Sequence, residues 1–205
     1  MTSQRHKPEL PDRSPRDAYL DAARACILDV GWRRTTLTEV ARRAGVSRMT
    51  IYRTWSDMKE LLGDLMTREW GDLVAEVRPY DDGGRPGPEQ VADGVVRAVS
   101  VLRENELFVR IVELDPELIL PYLLARRGRS QELILQLLAE NVQAGQKTGT
   151  VRPGDPVAIA RALVLACHGF VLSAHTMADD EVSPAALDTE LRLLVVRHLA
   201  PEGTR

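Results

Sequence analysis

Apolar residues recur every three or four positions along most of this chain, and no stretch alternates convincingly between apolar and polar. That period belongs to helices with one buried stripe, not to strands. It predicts a first helix over 16–29 that stops at Gly31, two short helices over 37–43 and 48–54, and a long one over 57–77. The stripe of the long helix is Leu61, Leu62, Leu65, Met66, Leu73, Val74 and Val77. Further helices are expected over 89–104, 106–114, 116–126, 130–146, 156–176 and 184–199. Pro116 suits a first helical turn, Pro121 should break or kink its helix, and Ser183 with Pro184 reads as a cap and first residue. Pro- and Gly-rich connectors fall at 78–88 and 148–156, and residues 1–15, with Pro8, Pro11 and Pro15, read as a disordered arm. The expectation is an all-α chain: the arm (1–15), a three-helix head (16–56) and a helical body (57–205).

The head carries the sharpest local pattern, TLTEVARRAGVSRMTIYRTW from residue 36. Thr36 and Glu39 have the spacing of a capping box. Leu37, Val40 and Ala41 share a face, and Gly45 can take the positive φ of a tight turn. Val46 would plug that turn, Ser47 would cap the next helix, and Ile51 would point inward. Arg48, Met49, Thr50, Tyr52 and Arg53 then face outward, too polar for a core and suited to a DNA groove. By itself this is equally an ordinary helical hairpin with a solvated face.

Charge sharpens the choice. Residues 1–60 hold 12 Lys or Arg against 8 Asp or Glu, net +4, which leaves 15 against 22, net −7, in residues 61–205. A basic front and acidic rear would orient the molecule toward a polyanion. No secretory signal is expected from the first residues, and with no unbroken apolar run of roughly 18 residues, the length that spans a bilayer, no membrane helix is expected. Cys26 and Cys167 lie in apolar helical patterns and read as buried thiols in a reducing cytoplasm. His168 and His175 stand two turns apart, whereas helical metal pairs sit three or four apart, so no metal site is expected. Nucleophile-elbow and phosphate-loop motifs are absent, so neither an enzyme nor a cofactor is expected.

From Tyr19 to Leu62 the chain resembles, without a gap, the tetracycline-repressor (TetR) family of bacterial regulators. The residues that carry this are Gly31 with Trp32, the run Ala41, Ala44, Gly45, Val46 and Ser47, and Tyr52 and Trp55. The resemblance implies a helix-turn-helix DNA-binding head, a ligand-binding and dimerisation body, and a cytoplasmic repressor. It places Thr36, Thr38, Ser47 and Lys59 near phosphates and Tyr52 on the backbone. Arg48, Met49, Thr50 and Arg53 fall at base edges, with arginine suited to guanine and methyl groups to thymine. Two positions depart from the family pattern: Met49 stands where many relatives have Gly, and Met58 where many have a Lys anchor, leaving Lys59 one residue later. These departures keep open a helical binding protein whose head no longer reads DNA. Arg5, Lys7 and Arg13 are open between a minor-groove arm and a solvated tail, as are Arg33 and Arg34 between the DNA backbone and solvent.

In the body, the segment 156–176 is apolar nearly all round, with Ala162, Ala166, Gly169 and Ser173 on one face. The segment 184–199 adds Leu187, Leu191, Leu194 and His198. Paired with the same two from a second chain, they would form a four-helix homodimer interface; the other reading is an internal core. The resemblance further implies a small-molecule effector inside the body. Residues that interrupt its apolar stretches, Trp70, Phe108, Glu113, Tyr122, Cys167 and His168, are the expected lining of a mainly apolar pocket. The partners expected are thus an operator duplex, an effector and a second copy, with no membrane.

Overall fold

The computed structural model describes residues 14–77 and 87–201, except for the side chains of 72–77. The arm over 1–13 with Arg5, Lys7 and Arg13, the connector over 78–86, and the stripe positions Leu73, Val74 and Val77 lie outside the described residues. The described residues form ten α-helices and two 3₁₀ turns, with no strand among them: α1 (Pro15–Val30), α2 (Leu37–Arg43), α3 (Arg48–Thr54), α4 (Met58–Val77), α5 (Pro88–Glu104), α6 (Glu106–Leu114), α7 (Leu120–Leu124), α8 (Arg129–Thr148), α9 (Pro156–Met177) and α10 (Pro184–Leu199). The chain divides into two compact units between Leu65 and Met66. This boundary lies inside α4, later than residue 57, because Leu61, Leu62 and Leu65 are buried with the head.

Caps set the ends of the head helices. Ser14 and Asp17 form a reciprocal capping box at α1, with Pro15 in the first turn. Gly31, at φ +82°, ends that helix, and its N–H donates to the Ile27 carbonyl at 2.9 Å. The buried Thr35 hydroxyl donates to the Gly31 carbonyl at 2.9 Å. Thr36 accepts from the Glu39 N–H, but the expected capping box is only half made. Arg42, one turn on, donates to both Glu39 carboxylate oxygens at 2.9 and 2.6 Å and holds that side chain away from the Thr36 amide.

In the body, α5, α8, α9 and α10 share one core, with Val91, Val95, Val99, Leu138, Val142, Ile159, Leu163, Leu191, Val195 and Leu199 buried together. Two ion pairs pin α5 along α10: Arg103–Asp188 at 2.6 Å and Arg192–Asp93 at 2.7 Å. The 148–156 connector is tightly tied. Gly149 closes α8 in the left-handed conformation, and Val151 is buried against Gly145. The Arg152 N–H donates to the Leu199 carbonyl at 2.8 Å, and its Nε donates to the His198 carbonyl at 2.6 Å. Pro121 divides the 116–126 segment as expected: a 3₁₀ turn over Pro116–Leu118 precedes the short α7, which carries Pro121 in its first turn.

Within one chain α9 keeps an uncovered side: Ile159, Ala160, Leu163 and Ala174 are buried, but Leu165 is 70% exposed and Met177 63%. Ala162, Ala166, Gly169 and Ser173 are also exposed. The helix is in addition long and apolar enough to cross a membrane by length and composition, with mean hydropathy 1.9 over an 18-residue window. Arg161 and His168 interrupt its sequence, which is why a search for an unbroken run passes over it.

Two stability predictions follow from the α8–α10 closure. A Cβ at Gly145 would lie 2.3 Å from Val151 Cγ2. Gly145→Ala is therefore expected to destabilise the fold by about 1–3 kcal/mol through overpacking, read from the urea midpoint, and Val151→Ala in the same chain should recover part of the loss. Burial, and secondarily the charge of Arg152, holds His198 below the usual imidazole value of 6.5. The folded state thus binds this proton less readily than the unfolded state, and stability falls as pH drops through 6.5. The melting temperature should fall between about pH 7.5 and pH 5.5, and His198→Gln should flatten that slope.

Candidate nucleic-acid interface

The turn between α2 and α3 is built as its sequence suggests. Gly45 adopts φ +69°, which a Cβ would strain, and the Val46 N–H reaches back to the Ala41 carbonyl at 3.0 Å. The Ser47 hydroxyl accepts from the Thr50 N–H at 3.2 Å and hydrogen-bonds the Thr50 hydroxyl at 2.9 Å. Thr50 therefore presents its methyl group with its hydroxyl already engaged. Val40 and Ile51 are fully buried and fasten the two helices together.

Opposite that buried side, α3 presents Arg48, Met49, Tyr52 and Arg53, all exposed. Met49 is 69% exposed, an apolar side chain on an otherwise polar face. Thr36, Ser47 and Lys59 are also exposed, and Thr38 is half-buried.

The arginines divide sharply. On α2, Arg42 pairs with Glu39, and its hydrogen bonds hold that carboxyl below the usual carboxylate range. Arg43 pairs with Asp29 at the end of α1. On α3 and at the start of α4, Arg48, Arg53 and Lys59 enter no ion pair among the described residues. Positive charge is thus neutralised behind the turn and left uncompensated on the outer helix.

Behind α3 the structure holds a cluster that the sequence pattern did not single out. Trp55, the residue closing α3, is 1% exposed. Its indole N–H donates to Asp64 Oδ2 at 2.6 Å. The Arg16 guanidinium pairs with the same carboxylate and lies over the indole ring, 5.6 Å from its centroid. Tyr19 meets the ring edge-on at 6.4 Å. The one signal available in sequence was a carboxylate, Asp64, among the inward leucines of α4.

In the body unit, Trp70 and Phe108 meet edge to face at 5.5 Å. Both line a narrow, open cleft with Met66, Glu69, Val101, Leu102 and Asn105. The Trp70 indole N–H has the Met66 sulfur, a weak acceptor, at 3.3 Å. Of the expected lining residues, Glu113, Tyr122, Cys167 and His168 fall outside this cleft: Glu113 is exposed on α6, Tyr122 lies under the Arg126 guanidinium on α7, and Cys167 and His168 sit on α9. Burial pushes the Cys167 thiol up to about 12, so it is inert at neutral pH. Asn141 on α8 is buried with its Nδ2 unpartnered among the described residues, as is Arg110 Nε on α6.

This arrangement defines a helix-turn-helix DNA-binding regulator, and the comparisons agree. A family model for bacterial regulatory proteins of the tetR family matches residues 20–65. An uncharacterized HTH-type transcriptional regulator of Mycobacterium tuberculosis is 36% identical over 172 residues, 84% of this chain and 87% of its own length. Among solved structures, the fatty acid degradation regulator FadR of Bacillus halodurans matches with TM-score 0.65 and 20% identity, over 97% of this chain and 99% of that one. SmeT, the repressor of the Stenotrophomonas maltophilia multidrug efflux pump SmeDEF, matches with TM-score 0.63 and 22% identity, over 92% of this chain and 91% of that one. The chain belongs to the TetR family of bacterial transcriptional regulators. It is a DNA-binding protein and not an enzyme.

Proposed function

We propose that the chain is a cytoplasmic repressor that binds a palindromic operator as a homodimer and leaves it when a small, mainly apolar molecule occupies the body. The observation that carries the DNA half is the division of charge: α3 keeps Arg48 and Arg53 free of ion pairs, while the arginines of α2 are neutralised. In this reading Arg48 and Arg53 meet base edges, and Met49 with the Thr50 methyl covers a thymine methyl. Tyr52, Thr36, Thr38, Ser47 and Lys59 hold the phosphate backbone.

The homodimer rests on the uncovered face of α9. Leu165 lies among Ala162, Ala166 and Gly169, small residues that let a second helix approach closely. Leu194 of α10, 54% exposed, extends the apolar surface. A dimer sets two heads at a fixed spacing, which a palindrome requires.

The effector half rests on the cleft at Trp70 and Phe108. Its lining is apolar and aromatic, with Glu69 and Asn105 as polar groups. SmeT, the fold neighbour, has been captured in complex with triclosan. The aromatic and apolar lining here matches an aromatic effector in chemistry, and such a molecule would enter only if Trp70 and Phe108 moved apart.

Selection of genomic fragments by the purified protein should enrich one palindrome, with affinity falling steeply as salt rises; recovery of no shared sequence would overturn the reading. On that operator, Arg48→Ala should lose about 1–3 kcal/mol of discrimination and little affinity for random DNA. Equal losses on both would mean that Arg48 holds only phosphate. Leu165→Glu should convert the dimer to a monomer by light scattering and remove tight operator binding. A Leu165→Glu chain that stays dimeric would place the interface elsewhere.

A further inference from the structure

We propose that Asp64 is a positioning residue for DNA reading: through Trp55 it fixes the orientation of α3, so that the operator is distinguished from other DNA. The proposal rests on the reading of α3 as the DNA-contacting helix.

α3 has only seven residues, too few to hold their own direction by backbone hydrogen bonds. Its orientation must come from the side chains buried beneath it. Ile51 supplies one apolar contact, which is non-directional. Trp55 supplies the directional one. A buried indole N–H needs an acceptor, and Asp64 Oδ2 provides it at 2.6 Å.

Asp64 is itself held. Its side chain is 13% exposed, and the Arg16 guanidinium neutralises it while covering the indole face. Three elements therefore converge on one carboxylate: the start of α1 through Arg16, the end of α3 through Trp55, and the second turn of α4 through Asp64 itself. A carboxylate accepting both a neutral N–H and a guanidinium is a charge-assisted anchor, stronger and more directional than apolar packing. Removing it would leave α3 folded on Ile51 but free to tilt.

The consequence differs from loss of folding. Phosphate contacts carry no sequence information and can re-seat along the uniform backbone after a small tilt, whereas bidentate contacts to base edges cannot. A positioning role therefore lowers the ratio of operator to random-DNA affinity. A merely structural role lowers the folded fraction, and with it binding to both DNAs alike.

The test uses the full chain and the operator recovered by selection. Affinities for operator and for random duplex are measured by fluorescence anisotropy at a temperature where circular dichroism shows each variant folded. Asp64→Ala and Trp55→Phe should each lower the operator-to-random ratio by about tenfold, and the double variant by no more than the larger single loss. Asp64→Asn keeps an oxygen for the indole but loses the charge; it should retain part of the ratio, with the Trp55 indole N–H still protected from exchange. Equal loss on both DNAs, an unchanged ratio in Asp64→Asn together with Asp64→Ala, or a double variant whose losses multiply would overturn the proposal. If Asp64→Ala does not fold, Asp64→Asn and Trp55→Phe decide it by the same ratio. A wild-type chain that selects no operator overturns the DNA reading, and this proposal with it.

Discussion

A seven-residue helix with a polar outer face cannot stand alone in water, and that constraint organises the head. α3 is fastened from one side only, and its exposed side is the one proposed to read DNA. The fastening consists of Ile51 against the α2 residues, Trp55 with its indole bonded to Asp64, and the Ser47 cap. Each of these acts from within or behind the helix and leaves its outer face clear. The same economy governs charge. Glu39 and Asp29 neutralise Arg42 and Arg43, which lie next to the turn, and among the described residues no acid pairs with Arg48 or Arg53. Surface pairs of this kind contribute little to stability. Their larger effect is on which arginines remain available to a polyanion.

The helices of this chain were legible because their ends are written in local chemistry. Ser47, and Ser183 with Pro184, are caps whose partners lie three residues away, and Gly31 and Gly45 are placed where φ turns positive; Ser14 with Pro15, read as part of the arm, in fact caps and opens α1. The Thr36–Glu39 box was half wrong for an equally local reason: Arg42 offers Glu39 a stronger, bidentate partner than a backbone amide does. What could not be read were pairings across long sequence separations. Asp64 with Arg16, Arg152 with the end of α10, and Arg103 with Asp188 have no signature in spacing. The effector lining suffered most. Interrupting residues such as Tyr122 and His168 are equally visible in sequence whether they face a cleft or a neighbouring side chain, and only Trp70 and Phe108 fall on the same cleft.

The uncovered side of α9 poses a choice that residue chemistry can decide. By length and hydropathy alone the helix could lie in a bilayer. Arg161 stands near its start, exposed on the same chain surface, and His168 sits at its middle, half-buried. An arginine costs about 2.5–3.5 kcal/mol at the centre of a membrane-spanning helix, and less nearer its end. A lipid-facing helix also has no use for a run of small residues, since lipid tails fill any contour. Ala162, Ala166 and Gly169 instead remove side-chain bulk where another rigid helix would pass, and Leu165 among them provides the knob for the partner's groove. In the proposed dimer, α9 and α10 of both copies would bury surface that water otherwise solvates and would fix the angle between copies, which lipid cannot do. A fixed angle is what a regulator with two reading heads requires.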